Sequence, residues 1–339
     1  MRHPALALLL ALVSAGSGLG AAPVHAEEMN LYSTREAPLV EPVIASFTAA
    51  TGIKVRLTTI EDNLVKRMKA EGDASPADVL MTIGLDKTSQ LVANGLTQPL
   101  TSALLDRAIP APLRGTHWIG LSVRPRVVIA RVDAAAGAIR YEDLAAPKWR
   151  GRLCMRALDH QNNVALISAY LLHHGAEATE TWLRGLKANL AHAPTGKDND
   201  VVREIAQGVC DIGIPNTVAL AQLRDGREGP DWTGWAQQVK ALPTTFEAGG
   251  THVNLTGAAL ARNAPHRAAA LAFLEFLVTP AAQKIYAAAE LEYPVLVAAE
   301  PDPIIGVIGT FTADNLSIDQ IAANQKAAMA LIKKVDFSK

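Results

Sequence analysis

Apolar residues recur at changing intervals along the chain, and each change of interval marks an element. Met29, Leu31 and Tyr32 mark a short strand over 29–32. Val40, Val43, Ile44 and Phe47 then fall on one helical face, and Gly52 stands where a helix commonly closes with positive φ. Residues 53–57 alternate strictly between apolar and charged, the pattern of a strand with one wet face. A helix over 63–70 ends near Gly72, an apolar strand over 77–83 follows Ser75-Pro76, and a helix over 87–93 ends at Asn94-Gly95. Strands and helices in this order predict a parallel sheet covered by helices.

Residues 118–130 read as one long strand interrupted at Pro125, which fits an edge or a crossover better than a sheet centre. The alternation then restarts: strand 152–156, helix 164–173, strand 188–192, helix 199–207, strand 210–214. Helices follow over 264–277, 280–291 and 317–334. Two strand–helix series joined by an extended crossover predict an α/β clam-shell of two lobes, each a mostly parallel sheet flanked by helices. The divisions expected are 29–126 with 246–292 for the first lobe, and 127–245 with 293–339 for the second.

The first 26 residues lie apart from this pattern. Met1-Arg2-His3 is basic, residues 5–13 are apolar, and a small-residue stretch ends at Val24-His25-Ala26. That three-part layout is a cleaved secretory signal peptide, and its apolar run is too short to span a bilayer. No Cys follows the cleavage site to carry a lipid, so a free periplasmic protein is expected, starting near Glu27. Removing residues 1–26 takes away Arg2 and no acid, leaving a net charge of −2. That balance argues against nucleic acid or an anionic membrane as partner. An apolar fraction of 49% is ample for two packed cores. Cys154 and Cys210 bridge in an oxidising compartment if their Cα atoms come within about 7 Å, and otherwise serve as small buried apolar residues.

Several segments resemble one family in order and spacing. They include Asn30-Leu31-Tyr32-Ser33-x-Arg35, Ser75-Pro76-Ala77-Asp78-Val79-Leu80, Pro147-Lys148-Trp149-Arg150-Gly151-Arg152, Gly250-Thr251-His252-Val253-Asn254 and Glu292-Tyr293-Pro294. Together they are similar to the bacterial ferric-iron-binding periplasmic proteins, the cyanobacterial-type branch especially. The resemblance implies a type II periplasmic-binding fold with a hinge of crossing strands and a ligand in the cleft. It also implies an inner-membrane ABC permease and its ATPase as partners of a monomeric binding protein.

The family holds Fe³⁺, a hard ion, mainly through tyrosinate oxygens, and this chain departs from that pattern. Val218 and Ala219 occupy the positions of the adjacent Tyr pair, Asn162 replaces a further Tyr, and Glu36-Ala37 replace a His and a Tyr. No iron-ligand role carries over, and no resident cofactor is implied. Ligands in open α/β sheets bind beyond the strand C-termini, so the candidate turns are 33–36, 82–86, 157–163 and 215–217. From these turns and the crossover come the candidate binding residues. Tyr32 and Ser33 form a cleft floor. Arg35, Arg124 and Arg126 are forks for carboxylate or phosphate, an Arg near the crossover being what relatives use to hold an accompanying anion. Glu36 is a carboxylate or an exposed helix start. Asp159 and His160 bind a metal or an anion, or else cap a helix. Asn162, Asn216 and Thr217 supply neutral hydrogen bonds. His173-His174 is expected at a helix C-terminus, and His252 to fix hinge geometry.

The function expected is a solute-binding component of an importer that carries a small anion or a metal chelate. A ligand sensor built on the same clam-shell is the alternative. A secreted enzyme lacks support, since no Gly-x-Ser-x-Gly, His-Glu-x-x-His or phosphate-binding Gly loop occurs.

Overall fold

The computed structural model describes residues 27–61, 63–135, 137–296, 299–306 and 308–337; the leader expected over 1–26 lies outside the described residues. The first strands and helices are β1 (Glu28–Ser33), α1 (Ala37–Thr51), β2 (Lys54–Thr59), α2 (Leu64–Glu71), β3 (Val79–Ile83) and α3 (Leu85–Ala93). α1 buries Val40, Val43 and Phe47 and stops at Gly52, whose φ of 76° only glycine adopts without strain. After α4 (Ala103–Ala108) come β4 (Trp118–Pro125), β5 (Val128–Arg131), β6 (Ile139–Arg140) and β7 (Leu153–Cys154). Then follow α5 (Gln161–Asn189), α6 (Asp198–Ala206), β8 (Ile212–Gly213), α7 (Thr217–Asp225), α8 (Pro230–Gln237), β9 (Val239–Leu242) and β10 (Thr244–Thr245). The chain finishes with β11 (Val253–Leu260), α9 (Arg267–Leu277), α10 (Pro280–Glu290), β12 (Tyr293–Pro294), α11 (Pro303–Gly306) and α12 (Ile318–Val335).

One sheet has the order β12-β4-β11-β3-β1-β2, a second the order β7-β8-β5-β9, and β10 pairs with β6 in a small third sheet. The two larger sheets are mixed rather than mostly parallel. β1 runs parallel to β2 and β3, but β11 runs against both β3 and β4, and β5 against both β8 and β9. The reason is that β4 and β11 are the crossing strands: each leaves or re-enters the first sheet against its neighbour. Both are eight residues long and buried throughout, which a hinge between two cores requires. Pro125 sits at the last β4 position paired with β11, where the chain passes on to β5. The interruption predicted there is therefore a sheet-to-sheet crossover.

Three other expectations change. Residues 188–192 are not a strand: α5 continues to Asn189, and Leu190 makes only an isolated bridge with Leu153. Trp182, Leu183 and Leu186 keep the helical period into the core, and that packing wins over local strand propensity. Tyr293–Pro294, assigned by pattern to the second lobe, pairs with β4 in the first sheet. Finally, α5 does not stop at His173-His174 but kinks at Gly175 (φ 79°). His173 and His174 there meet Asp314 at 2.8 Å and Glu142 at 2.7 Å.

Cys154 and Cys210 form a disulfide with Cα atoms 5.8 Å apart, tying β7 to the segment entering β8. No single described helix is long and apolar enough to cross a membrane.

Candidate functional site

On the first-sheet side, Ser33 ends β1 and turns the chain: its Oγ accepts the Arg35 N–H at 2.9 Å. That turn sends the Arg35 guanidinium inward, where it pairs with Glu292 and with Glu290 at 2.9 Å and donates to Thr256 Oγ1 at 3.1 Å. Glu292 also accepts from Ser122 and Thr256. Burial disfavours charge on Glu292, but the Arg35 and Arg124 guanidiniums outweigh it and hold the carboxyl below its ordinary range. Burial pushes the Glu290 carboxyl up against the pull of Arg35, so charge on it is disfavoured. Arg124 donates to the Leu255 carbonyl at 3.1 Å, and its Nε stands 3.7 Å from Glu292 without a hydrogen bond. Arg35 and Arg124 thus share Glu292 as the carboxylate most firmly held in its charged form.

On the second-sheet side, Arg126 is fully enclosed. It donates to Asn163 Oδ1 at 2.6 Å, to the Ile214 carbonyl and to Asn216 Oδ1 at 3.5 Å. Asp198, at the first position of α6, lies 3.6 Å from Arg126 and 3.5 Å from Arg156, and accepts the Asn216 N–H at 3.3 Å. Asn254 of β11 donates to Asn216 Oδ1 at 3.1 Å, so the crossing strand and the start of α7 are joined by amides. Again two guanidiniums share one carboxylate. The Nε atoms of Arg126 and Arg156 have no hydrogen-bond partner.

His160 is the N-cap of α5, its Nδ1 accepting the Asn162 N–H at 3.2 Å. Burial first, and then the Arg156 guanidinium, pull its pKa down to about 4. At neutral pH the ring is neutral and its proton sits on Nε2, a donor without charge. Next to it, the Gln161 amide meets Asp86; with its nitrogen turned to that carboxylate it donates to Oδ1 at 2.5 Å and Oδ2 at 3.0 Å, bridging α5 to the start of α3. Gly84 permits this approach: a Cβ there would meet Asp86 at 2.8 Å and Gln161 at 3.1 Å. Beyond the C-terminal ends of β1 and β3 lies a cavity of about 490 Å³ whose lining includes Thr34, Thr82, Asp86, Lys66, Lys69 and Lys87. β1 feeds helices toward β2 on one side and β3 receives the chain on the other, the switch point where open sheets bind ligands.

The expected residues separate into three groups. Arg124, Arg126, His160, Asn162, Asn216 and Thr217 are buried or half-buried around the crossover and the helix starts beside it. Ser33 and Arg35 act through local structure, as the turn and as the partner of Glu290 and Glu292. Tyr32, Glu36 and Asp159 stand elsewhere. Tyr32 is not a cleft floor; it packs with Leu64, Met68 and Leu80, its hydroxyl 3.0 Å from Glu71. Glu36 and Asp159 are exposed, and the cap attributed to Asp159 is made by His160. Sequence reading missed Arg156, Asp198, Asn163 and Gln161. Arg156, Asn163 and Gln161 sit in or at the edge of the 157–163 turn; Asp198 carried no signal beyond a helix start.

His252 joins the two halves through its backbone: its N–H donates to Tyr141 Oη at 3.0 Å and its carbonyl accepts the Arg126 N–H at 3.0 Å. The ring is buried with neither nitrogen hydrogen-bonded, and burial, then Arg126, lower its pKa to about 3. An unfolded chain protonates this ring below about 6.5, whereas the folded one waits until about 3. Stability from this residue is therefore complete above pH 6.5 and is lost as pH falls, at about 1.4 kcal/mol per pH unit. His252→Gln should flatten that loss. Denaturant melts of both proteins between pH 4 and 7 check it, and parallel curves would refute it.

The five tyrosines are Tyr32, Tyr141, Tyr170, Tyr286 and Tyr293. Burial raises the pKa of every one. Tyr141 donates to the Arg126 carbonyl at 2.6 Å and Tyr293 to the Gly309 carbonyl at 2.7 Å. Tyr170 stacks on Trp182 at 4.1 Å between centroids. The site therefore offers guanidiniums, neutral amides, lysines and the carboxylates paired with them, while the Tyr141 and Tyr293 hydroxyls are spent on backbone carbonyls.

Comparisons with known proteins agree with this architecture. A family model for bacterial extracellular solute-binding proteins matches residues 30–289. The iron uptake protein A1 of Synechocystis is 34% identical over 308 residues, 88% of this chain and 84% of that protein. A solved Bordetella ferric binding protein aligns with TM-score 0.90 and 44% identity over 92% of this chain and 100% of its own. A Trichodesmium protein in complex with iron and citrate ligands aligns with TM-score 0.88 and 34% identity, over 92% of this chain and 100% of its own.

Proposed function

The chain belongs to the bacterial extracellular solute-binding proteins, in the ferric-iron-binding periplasmic family with its type II fold, and on that premise we propose that it is the periplasmic binding component of an ABC importer whose cargo is a small anion or an anionic metal chelate. Its partners are then an inner-membrane permease and ATPase, and it works as a monomer. The carrying observation is the charge at the crossover. Arg35, Arg124, Arg126 and Arg156 meet Glu292 and Asp198 as ion-pair partners, while burial disfavours charge on Glu290 and on Asp86, the other carboxyls acting on Arg124. The guanidiniums are thus under-compensated in a region of low dielectric, where each charge is worth far more than in water. Lys66, Lys69 and Lys87 extend that field along the neighbouring cavity. A carboxylate-rich chelate such as ferric citrate satisfies it as well as phosphate does, because guanidinium forks match both geometries.

In this reading the Gln161–Asp86 bridge is a latch between the two lobes. Saturating citrate, ferric citrate or phosphate should reduce the radius of gyration in small-angle scattering. A cargo at one hundred times its Kd should add about 2.7 kcal/mol of stability. A protein whose dimensions and melting temperature ignore all three would refute the proposed cargo class.

A further inference from the structure

The described residues hold a second cluster of ligating side chains, remote from the crossover arginines in chemistry and not used by the binding function. Cys154, Cys210 and Glu204 present ligand atoms that all lie within 4.8 Å of one another. His192 adds a fourth: its Nε2 is 3.7 Å from Cys154 Sγ and 3.2 Å from Glu204 Oε2. We propose that Cys154, Cys210, His192 and Glu204 form a redox-gated site for a borderline divalent cation such as Zn²⁺ or Co²⁺, closed while the disulfide stands and opened when it is reduced.

The geometry carries this. A tetrahedral Zn²⁺ bound by imidazole at about 2.0 Å, carboxylate at about 2.0 Å and thiolate at about 2.3 Å separates N from O by roughly 3.3 Å and N from S by roughly 3.6 Å. The His192 contacts already match those two edges; the sulfur–sulfur edge must open when its bond is cut, and the freed Cys210 must turn toward His192, which stands outside the group whose ligand atoms all lie within 4.8 Å of one another. The imidazole is also prepared for the role. His192 Nδ1 lies 2.8 Å from the Ala193 carbonyl, which can take the Nδ1 proton, and Nε2 faces sulfur and carboxylate, where a metal would replace the proton shared with Glu204. Metal-binding histidines characteristically donate their second N–H to a carbonyl in this way. Two sulfurs, one nitrogen and one oxygen suit Zn²⁺ or Co²⁺ rather than Mg²⁺ or Ca²⁺, which take oxygen shells. Fe³⁺, the cargo ion of the family, prefers hard anionic oxygens and is not the ion expected here.

The chemistry balances. A protein dithiol, or a phosphine in vitro, delivers two electrons to the disulfide; the S–S bond breaks and two thiols form as the dithiol closes to its own disulfide. With a phosphine, water supplies the oxygen of the phosphine oxide and the two thiol protons. Metal binding then displaces both thiol protons to solvent. The sulfurs are buried, at 1% and 2% exposure, while His192 and Glu204 form the partly open rim by which the ion enters. The inference is independent of the cleft cargo.

The full mature chain is titrated with Co²⁺ before and after reduction with a phosphine. The result expected is one Co²⁺ per chain only after reduction, with the visible d–d and sulfur-to-metal bands of a tetrahedral thiolate site. His192→Ala and Glu204→Gln, both of which keep the disulfide and fold when oxidised, should weaken Co²⁺ binding by the reduced chain at least about tenfold. Circular dichroism melts of the reduced chain should move upward with Co²⁺. Equal Co²⁺ binding by oxidised and reduced protein, bands unchanged by His192→Ala, or a reduced chain that is unfolded and not refolded by Co²⁺ would each overturn the site.

Discussion

Replacing Arg124 by Ala is expected to weaken cargo binding by roughly tenfold to a hundredfold, the worth of about 1.5–3 kcal/mol for a charge-assisted hydrogen bond. Of Arg35, Arg124 and Arg126, Arg124 is the least committed to the fold. It makes one hydrogen bond, to the Leu255 carbonyl, and its Nε has none. Burial and the neighbouring Arg35 both lower its pKa against the pull of Glu292, so an incoming anion relieves an existing electrostatic cost. Its removal leaves Glu292 still held by Arg35, Ser122 and Thr256, which keeps the variant folded. Arg126 makes the opposite case. Arg126→Ala strips Asn163, Asn216 and Asp198 of their common partner, and breaking such a buried network costs about 3–5 kcal/mol of stability. Calorimetric titration of wild type, Arg124→Ala and Asp159→Ala with citrate, ferric citrate, phosphate and divalent metals separates the readings. Exposed Asp159 should matter little. A silent Arg124→Ala beside an Asp159→Ala that abolishes binding of a bare metal would show that the site reads a cation.

With Fe³⁺ the expected result is the absence of colour. Protein loaded from ferric citrate should show no phenolate-to-iron charge-transfer band, although relatives of this chain are iron-uptake and ferric-binding proteins. Phenolate ligation requires a tyrosine hydroxyl free to reach the ion, which then displaces its proton. Three of the five here spend their hydroxyls on Glu71, the Arg126 carbonyl or the Gly309 carbonyl, and Tyr170 is stacked on Trp182. The resemblance to the family implies that Val218, Ala219 and Asn162 fall at its tyrosinate positions. Any iron carried must then arrive inside its own chelate, with the protein binding the chelator's carboxylates. A red-orange protein whose band disappears on Tyr32→Phe or Tyr293→Phe would contradict this account.

Periodicity along the chain carried most of the local structure. The run Val40, Val43, Ile44, Phe47 with Gly52 behind it determined α1 and its end, because a helix interior and a positive-φ stop are both properties of neighbouring residues. Alternation at 53–57 determined β2, and the break at Pro125 determined where the chain leaves one sheet for the other. The lost tyrosines at 162, 218 and 219 were equally legible, since a missing phenol needs no geometry to be missing. Strand direction was not. Whether β5 runs with or against β8 depends on partners 80 residues away, and residues 188–192 became helix because Trp182, Leu183 and Leu186 had a core to fill.

The site divided along the same line. Sequence alone determined that arginines flank the crossover. Only the tertiary structure decided what those arginines do: Arg35 answers Glu290 and Glu292 from the far end of the chain, Arg126 answers Asp198, and Arg124 is left with a shared partner. It likewise closed Cys154 onto Cys210 and set His192 and Glu204 beside them. The reason is physical. A side chain's charge and rotamer preferences travel with its sequence, but whether that charge is compensated depends on which distant groups share its low-dielectric surroundings, and only folding brings them there.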